Sequence, residues 1–258
     1  MTSFFRQPGL WAAAALACLS AAPAFAADDS FVDEFDRFDL NRWYVSDGWA
    51  NGDFQNCTWS KRNLKLADGK LTLSYEARKT GDRDHACAEV QTKQRFSYGT
   101  YEARTRTTPA SGLNAAFFTY IGPANGQPHD EIDFEAITRD TSKIDVNTYV
   151  SGKPNNGSKV PVAGGTDGGF NDYAFIWEPN RIRWFVNGKL LHETKPDTPL
   201  PINAQKIFFS LWGTEKLTHW MGPFTSPTKP VTFEIERVAY TKLGDKCQFP
   251  ESLVCKNP

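Results

Sequence analysis

Ile182-Arg183-Trp184-Phe185-Val186-Asn187-Gly188-Lys189-Leu190-Leu191-His192 reads as two extended runs joined by a two-residue turn. Asn-Gly supplies the positive-φ backbone that a tight turn between twisted strands requires, so this stretch is a β-hairpin. The same reading applies upstream, where Leu64-Lys65-Leu66, the turn Ala67-Asp68-Gly69-Lys70 and Leu71-Thr72-Leu73-Ser74-Tyr75 make strand, turn and strand. Working outward, further strands are expected at 99–107, 115–120, 132–136, 144–149, 173–177, 206–212 and 231–240. No segment after residue 26 keeps a helical apolar period over a dozen positions. Many short strands with no helices to cover a parallel sheet point to an all-β fold, a large two-sheet antiparallel sandwich. Such a sandwich packs one face of each sheet inward, and a long sheet can curve to offer a concave outer face to a ligand. Residues 154–170, rich in Gly, Asn and Pro, are expected to form surface loop inside one domain.

The N-terminus carries Arg6, an apolar run from Leu10 to Leu19, and Ala24-Phe25-Ala26 before the polar Ala27-Asp28-Asp29. That is the layout of a secretory signal peptide over 1–26, and the apolar run is too short to span a bilayer. Residues 27–258 are then one catalytic-sized domain of a secreted protein, extracellular or periplasmic, with no membrane partner. With 29 basic against 30 acidic side chains, nothing steers the chain toward nucleic acid or an anionic membrane. Its 8 Trp, 8 Tyr and 19 Phe supply planar faces beyond what a core consumes, as a sugar-binding groove would use. Cys18 leaves with the signal peptide, and the remaining Cys57, Cys87, Cys247 and Cys255 allow three pairings. Cys57 with Cys87 and Cys247 with Cys255 closes the shortest loops, and an oxidising compartment would keep both bonds.

The chemistry concentrates in His129-Asp130-Glu131-Ile132-Asp133-Phe134-Glu135-Ala136. In a strand, the two-residue side-chain period puts Glu131, Asp133 and Glu135 on one face and Ile132 and Phe134 on the other. An apolar face anchors the strand while three acids look outward, where they must be solvated, paired or functional. Retaining glycoside hydrolysis needs two carboxyl groups about 5 to 5.5 Å apart, one as nucleophile and one as acid/base. Glu131 and Glu135 sit about 13 Å apart along an extended backbone, so their side chains must lean together. Crowded carboxylates push their pKa values apart, and Glu135 is the one expected to be raised, as the proton donor. Asp133, between them, is expected to share a proton or hydrogen bond with Glu131.

Asp130-Glu131-Ile132-Asp133-Phe134-Glu135 resembles the signature of glycoside hydrolase family 16, and the likeness to its bacterial lichenases runs through nearly the whole chain after the leader. It is carried also by Asp47-Gly48-Trp49-Ala50-Asn51-Gly52, Asn56-Cys57-Thr58-Trp59, Phe117-Phe118-Thr119-Tyr120, Trp184-Phe185-Val186-Asn187-Gly188 and Val238-Ala239-Tyr240-Thr241. The resemblance implies a β-jelly roll with the acidic strand in the middle of a concave sheet, Glu131 as nucleophile, Asp133 as assisting acid and Glu135 as acid/base. It implies substrate contacts at Trp49, Asn51, Glu89, Phe118, Tyr120, Asn147, Tyr149, Trp212 and Trp220; His129, next to the motif, is read from the residues as a further substrate-contacting group. It supports the Cys57–Cys87 bond, whereas Cys247 and Cys255 lie in a tail those lichenases lack. It also implies a structural calcium held by the backbone of Glu34 and Gly69 and the carboxylate of Glu236, with no cofactor for catalysis.

The sequence departs from the lichenase pattern at groove positions: His129 stands for a Trp, Gln91 for an Arg, Gln55 for a Phe and Ser210 for an Asn. Changes at platform and hydrogen-bonding positions alter which sugars fit while leaving the cleavage chemistry intact. The pattern is more similar to the rhizobial endo-glycanases that trim the acidic exopolysaccharide succinoglycan, so a polysaccharide of that kind is the expected substrate and a monomer the expected form. Two other readings compete: a transglycosylase on the same residues, and a non-catalytic glycan-binding module, which has no need for three aligned acids.

Overall fold

The computed structural model describes residues 29–256, so the leader expected at 1–26 lies outside the described residues. Two sheets stack face to face. The first runs Lys189–Glu193, Arg181–Val186, Asn171–Glu178, Gly99–Thr107, Val231–Lys242, Lys70–Tyr75 and Leu64–Ala67, with Phe31–Asp33 also paired to Val231–Lys242. The second runs Lys153–Pro154, Lys143–Val150, Asp130–Ile137, Leu113–Ile121, Lys206–Gly213, His85–Thr92 and Trp43–Val45, with Ser158–Pro161 and Cys57–Trp59 attached at its margins. All pairings within these sheets are antiparallel except Cys57–Trp59 beside His85–Thr92, which is parallel. This is the β-jelly-roll sandwich that the sequence implies. No helix among the described residues is long and apolar enough to cross a membrane.

Alternation builds both sheets. In Lys70–Tyr75 every second residue, Leu71, Leu73 and Tyr75, is buried, and in Lys143–Val150 Ile144, Val146 and Thr148 are. The inner faces meet through aromatic rings: Phe117 stacks on Phe209 at 5.3 Å and on Phe134 at 6.3 Å, and packs at 5.8 Å against Phe175 of the facing sheet. One buried contact ties this core to the acidic strand directly. Trp184, from the first sheet, donates its indole N–H to the backbone carbonyl of Asp133 at 3.1 Å, satisfying the one polar atom that lets a Trp sit in a core.

Both hairpins form as the turns dictate, with Asn187 and Gly188 at φ 51° and 77° and Asp68 and Gly69 at 55° and 67°. Residues 154–170 are not wholly loop. Ser158–Pro161 pairs with Lys143–Val146 and buries Val160, so two valines in alternation outweighed the surrounding Gly and Pro. Several strands carry no alternating signal. His85–Thr92 is buried on both faces over most of its length, and Phe31–Asp33, Trp43–Val45 and Cys57–Trp59 are too short to show a period.

Cys57 and Cys87 are bonded, with Cα atoms 5.8 Å apart, across the parallel pairing of their strands. Cys247 and Cys255 are bonded at 5.3 Å in the C-terminal tail. That tail lies on the outer face of the first sheet. There the buried Glu102 accepts hydrogen bonds from Ser252 Oγ at 2.6 Å and the Leu253 N–H at 2.7 Å, and Leu253 packs on Ala174 and Phe185.

Candidate active site

The strand Asp130–Ile137 turns Ile132, Phe134 and Ala136 into the core and Glu131, Asp133 and Glu135 to the opposite face. Register then decides what surrounds each acid. Glu131 lies between Tyr120 and Tyr149, Asp133 between Phe118 and Asn147, and Glu135 between Ala116 and Asp145. Beyond the Phe118 row stand Phe208 and Gln91, and beyond the Ala116 row stand Ser210 and Glu89. A cavity of about 390 Å³ is lined by Glu135, Asp145, Asn147, Tyr149 and Trp220 among others.

The first strand residue, Asp130, points away from the acids and fixes the entry to the strand. Its carboxylate accepts the Ser151 N–H at 3.1 Å and the Asn203 side-chain amide at 2.8 Å. His129 precedes it with the same parity as the acids, and its Nε2 lies 2.5 Å from Glu131 Oε2. The imidazole stacks on Tyr149 at 5.0 Å and meets Tyr120 edge-on at 5.1 Å.

The three acids cannot all be charged. Burial pushes Glu135 up to about 8, helped by the negative charges of Glu131 and Asp145 and opposed by the hydrogen bond that Asn114 Nδ2 donates to it at 2.8 Å. Asp133 is raised well above the ordinary carboxylate range, first by burial and then by the charges of Glu131 and Glu135. It is 1 % exposed and neither of its oxygens receives a hydrogen bond. A buried carboxylate without donors is costly, whereas a protonated Asp133 can itself donate to Glu131, the relation expected from their spacing. The set therefore separates into two proton carriers, Asp133 and Glu135, beside Glu131.

The remaining groove residues spread around this centre. Phe118 stacks on Phe208 at 4.9 Å. Trp212 packs on Trp220 at 6.3 Å and meets Phe54 edge-on at 5.6 Å, and Trp220 donates its indole N–H to Asp145 at 3.0 Å. Trp49 is 40 % exposed and leans edge-on against the buried Trp59, whose indole N–H reaches Asn51 Oδ1 at 3.4 Å. Glu89 is buried, accepts from Ser46 Oγ at 2.6 Å, and is pushed up to about 7 by burial against that bond and one from Asn51. Asn147 Oδ1 is buried without a hydrogen-bond partner on the strand beside Asp133.

Asn114, Asp145, Phe208 and Phe54 join the site without having been singled out from the sequence. Asn114 shares the parity of Phe118 and Tyr120, and Asp145 that of Asn147 and Tyr149, so the two-residue period could have found both. Gln55 is no platform: it is fully buried, and its amide holds the loop by donating to the Cys57 carbonyl at 2.9 Å and accepting the Asn51 N–H at 3.1 Å. Its neighbour Phe54 supplies the exposed ring instead.

The calcium ligands implied by the resemblance meet a different arrangement. Glu236 sits at a bulge between Ile235 and Arg237, and its carboxylate accepts from Arg104 Nε at 2.8 Å. Glu34 and Gly69, whose backbone carbonyls would be the other ligands, are exposed.

Comparison with known proteins agrees with this geometry. Residues 51–231 match the model of the family described as "Glycosyl hydrolases family 16". The chain is similar to the endo-1,3-1,4-beta-glycanase ExoK of Rhizobium meliloti, 56% identical over 227 residues that cover 88% of this chain and 84% of that protein. Among solved structures, the Bacillus licheniformis beta-glucanase superposes with a TM-score of 0.79 at 32% identity, covering 83% of this chain and 99% of that one. A prokaryotic beta-1,3-1,4-glucanase (lichenase) from a mouse hindgut metagenome does so with a TM-score of 0.79 at 33% identity and the same coverage.

Proposed function

The chain belongs to glycosyl hydrolases family 16, and we propose that within it this chain is an exported, retaining endo-β-glycanase acting on a succinoglycan-like bacterial exopolysaccharide, with 1,3-1,4-β-glucan as a second substrate. The observation that carries the mechanism is the division of the three aligned acids into raised proton carriers, Asp133 and Glu135, beside Glu131. Glu135, still protonated near neutral pH, donates its proton to the glycosidic oxygen as the bond from that oxygen to the anomeric carbon breaks. Glu131 forms a bond to the anomeric carbon from the opposite face, giving a covalent glycosyl-enzyme. Once the leaving chain departs, Glu135 takes a proton from water, the hydroxide oxygen attacks the same carbon, and the bond to Glu131 breaks with net retention. Asp133 shares its proton with Glu131 and limits the build-up of negative charge between the other two.

Substrate choice rests on the walls. Rings at Trp49, Phe54, Phe118, Trp212 and Trp220 offer faces to pyranose rings, and Asn51 offers polar atoms to hydroxyls. The departures at His129, Gln91 and Ser210, with 56% identity to the Rhizobium glycanase against 32% to the Bacillus licheniformis glucanase, support the exopolysaccharide as the preferred polymer. The test is reducing-end release and product sizing on succinoglycan and barley mixed-linkage glucan in parallel, with wild type and Glu131→Gln. Wild type is expected to cut internally to defined oligosaccharides and the variant to be inactive. No cleavage of either polymer by folded protein overturns the substrate assignment, and an active Glu131→Gln overturns the mechanism.

A further inference from the structure

His129 is more than a wall of the groove. Its backbone and ring are both held: its carbonyl accepts the Gly152 N–H at 2.8 Å, the next residue Asp130 is anchored through Ser151 and Asn203, and Tyr149 and Tyr120 flank the imidazole. The atom this cage presents is Nε2, 2.5 Å from Glu131 Oε2. The groups facing Glu131 are Asp133 and Glu135 on its own strand, Tyr120 on Leu113–Ile121 and Tyr149 on Lys143–Val150. The first two are raised above the ordinary carboxylate range, chiefly by burial, and the nucleophile of a retaining hydrolysis acts as a carboxylate. An ionised carboxylate only accepts, so Nε2 is the donor whether the ring is neutral or charged.

We propose that His129 is a positioning residue for the nucleophile: it donates from Nε2 to Oε2 of Glu131, fixes the plane of the carboxylate, and leaves Oε1 to bond to the anomeric carbon. This rests on the reading of Glu131 as nucleophile. A bond this short and oriented constrains the attacking oxygen before substrate arrives, the arrangement in which positioning contributes most.

Two substitutions separate the hydrogen bond from the packing. His129→Phe keeps an aromatic ring between Tyr120 and Tyr149 and removes the donor; His129→Gln keeps an N–H donor and removes the ring. The first measurement needs no polymer: the rate at which an epoxyalkyl β-oligoglucoside labels Glu131 covalently, located by peptide mass spectrometry, in wild type and both variants, with circular dichroism confirming the fold. Labelling of Glu131 is expected to slow about tenfold in His129→Phe and to recover toward wild type in His129→Gln. In turnover, kcat falls in His129→Phe while KM stays near wild type. An unchanged labelling rate in His129→Phe, or equal effects of the two variants, overturns the proposal. Labelling of a residue other than Glu131 in wild type refutes the reading of Glu131 as nucleophile, and slowed labelling in a protein that cleaves neither polymer refutes the substrate reading instead.

Discussion

Asn114 Nδ2 donates to Glu135 Oε1 at 2.8 Å, a bond made possible because Asn114 and Glu135 share the outward face of neighbouring strands in fixed register. It opposes the burial that raises Glu135, while Asp145, directly across the other neighbouring strand, adds to the rise. The acid/base is thus tuned from both sides by residues that do not belong to the acidic motif.

Opposite shifts are expected from these two neighbours. Asn114→Ala removes a donor to the charged form and moves the basic limb of the kcat/KM profile above about pH 8; Asp145→Asn removes a repelling charge and moves it below, while still accepting the Trp220 indole N–H. The pH–rate profiles of the two variants decide this, and limbs moving in the same direction would refute it.

Glu135 also links pH to stability. Its folded pKa of about 8 exceeds the unfolded value near 4.5, so the folded state binds the proton more tightly. The stability it contributes is fully present below about pH 4.5 and is lost progressively as pH rises through about 8. Glu135→Gln, always neutral, is expected to match wild type near pH 4 and to exceed it by on the order of 1–3 kcal/mol at pH 9. The same variant should lose about 10²- to 10⁴-fold in kcat. Urea unfolding at the two pH values checks the first expectation, and a constant difference between the proteins would count against it.

Removing the Cys57–Cys87 bond by the double serine variant is expected to cost about 3 kcal/mol, since it closes a loop of 30 residues in the unfolded chain. Cys57–Trp59 is a three-residue strand, and the segment before it carries Trp49 and Asn51. The loss should therefore appear in KM as well as in the denaturation midpoint. Undiminished stability would show that the parallel pairing alone holds this margin.

Gly122 sets the position of Tyr120. A Cβ there would stand 2.0 Å from the tyrosine oxygen and 2.5 Å from Cζ, so Gly122→Ala forces the ring to swing at the edge of the groove. Because the ring can move into the groove, the change is expected to appear as a raised KM with the melting temperature little changed. A KM equal to wild type would place Tyr120 outside the substrate path.

Much of this was legible in the residues themselves. Asn187-Gly188 and Asp68-Gly69 demanded positive φ and formed the turns they predict. The alternation of Glu131, Asp133 and Glu135 with Ile132 and Phe134 placed three acids on one face of an anchored strand. Other parts left no trace. His85–Thr92, buried on both faces, has no period, and Val160 was hidden among Gly, Asn and Pro.

By itself, the sequence determined which residues share a strand face and where the chain must turn, because a two-residue period and a positive-φ turn are local properties of the backbone. Only the tertiary structure decided that Asn114 and Asp145 flank Glu135, that His129 Nε2 meets Glu131, and that Phe54 rather than Gln55 faces Trp212. Those contacts depend on register between strands distant in sequence. The raised pKa values of Asp133 and Glu135 depend on how completely the assembled sandwich removes water from them, a quantity that no single strand carries.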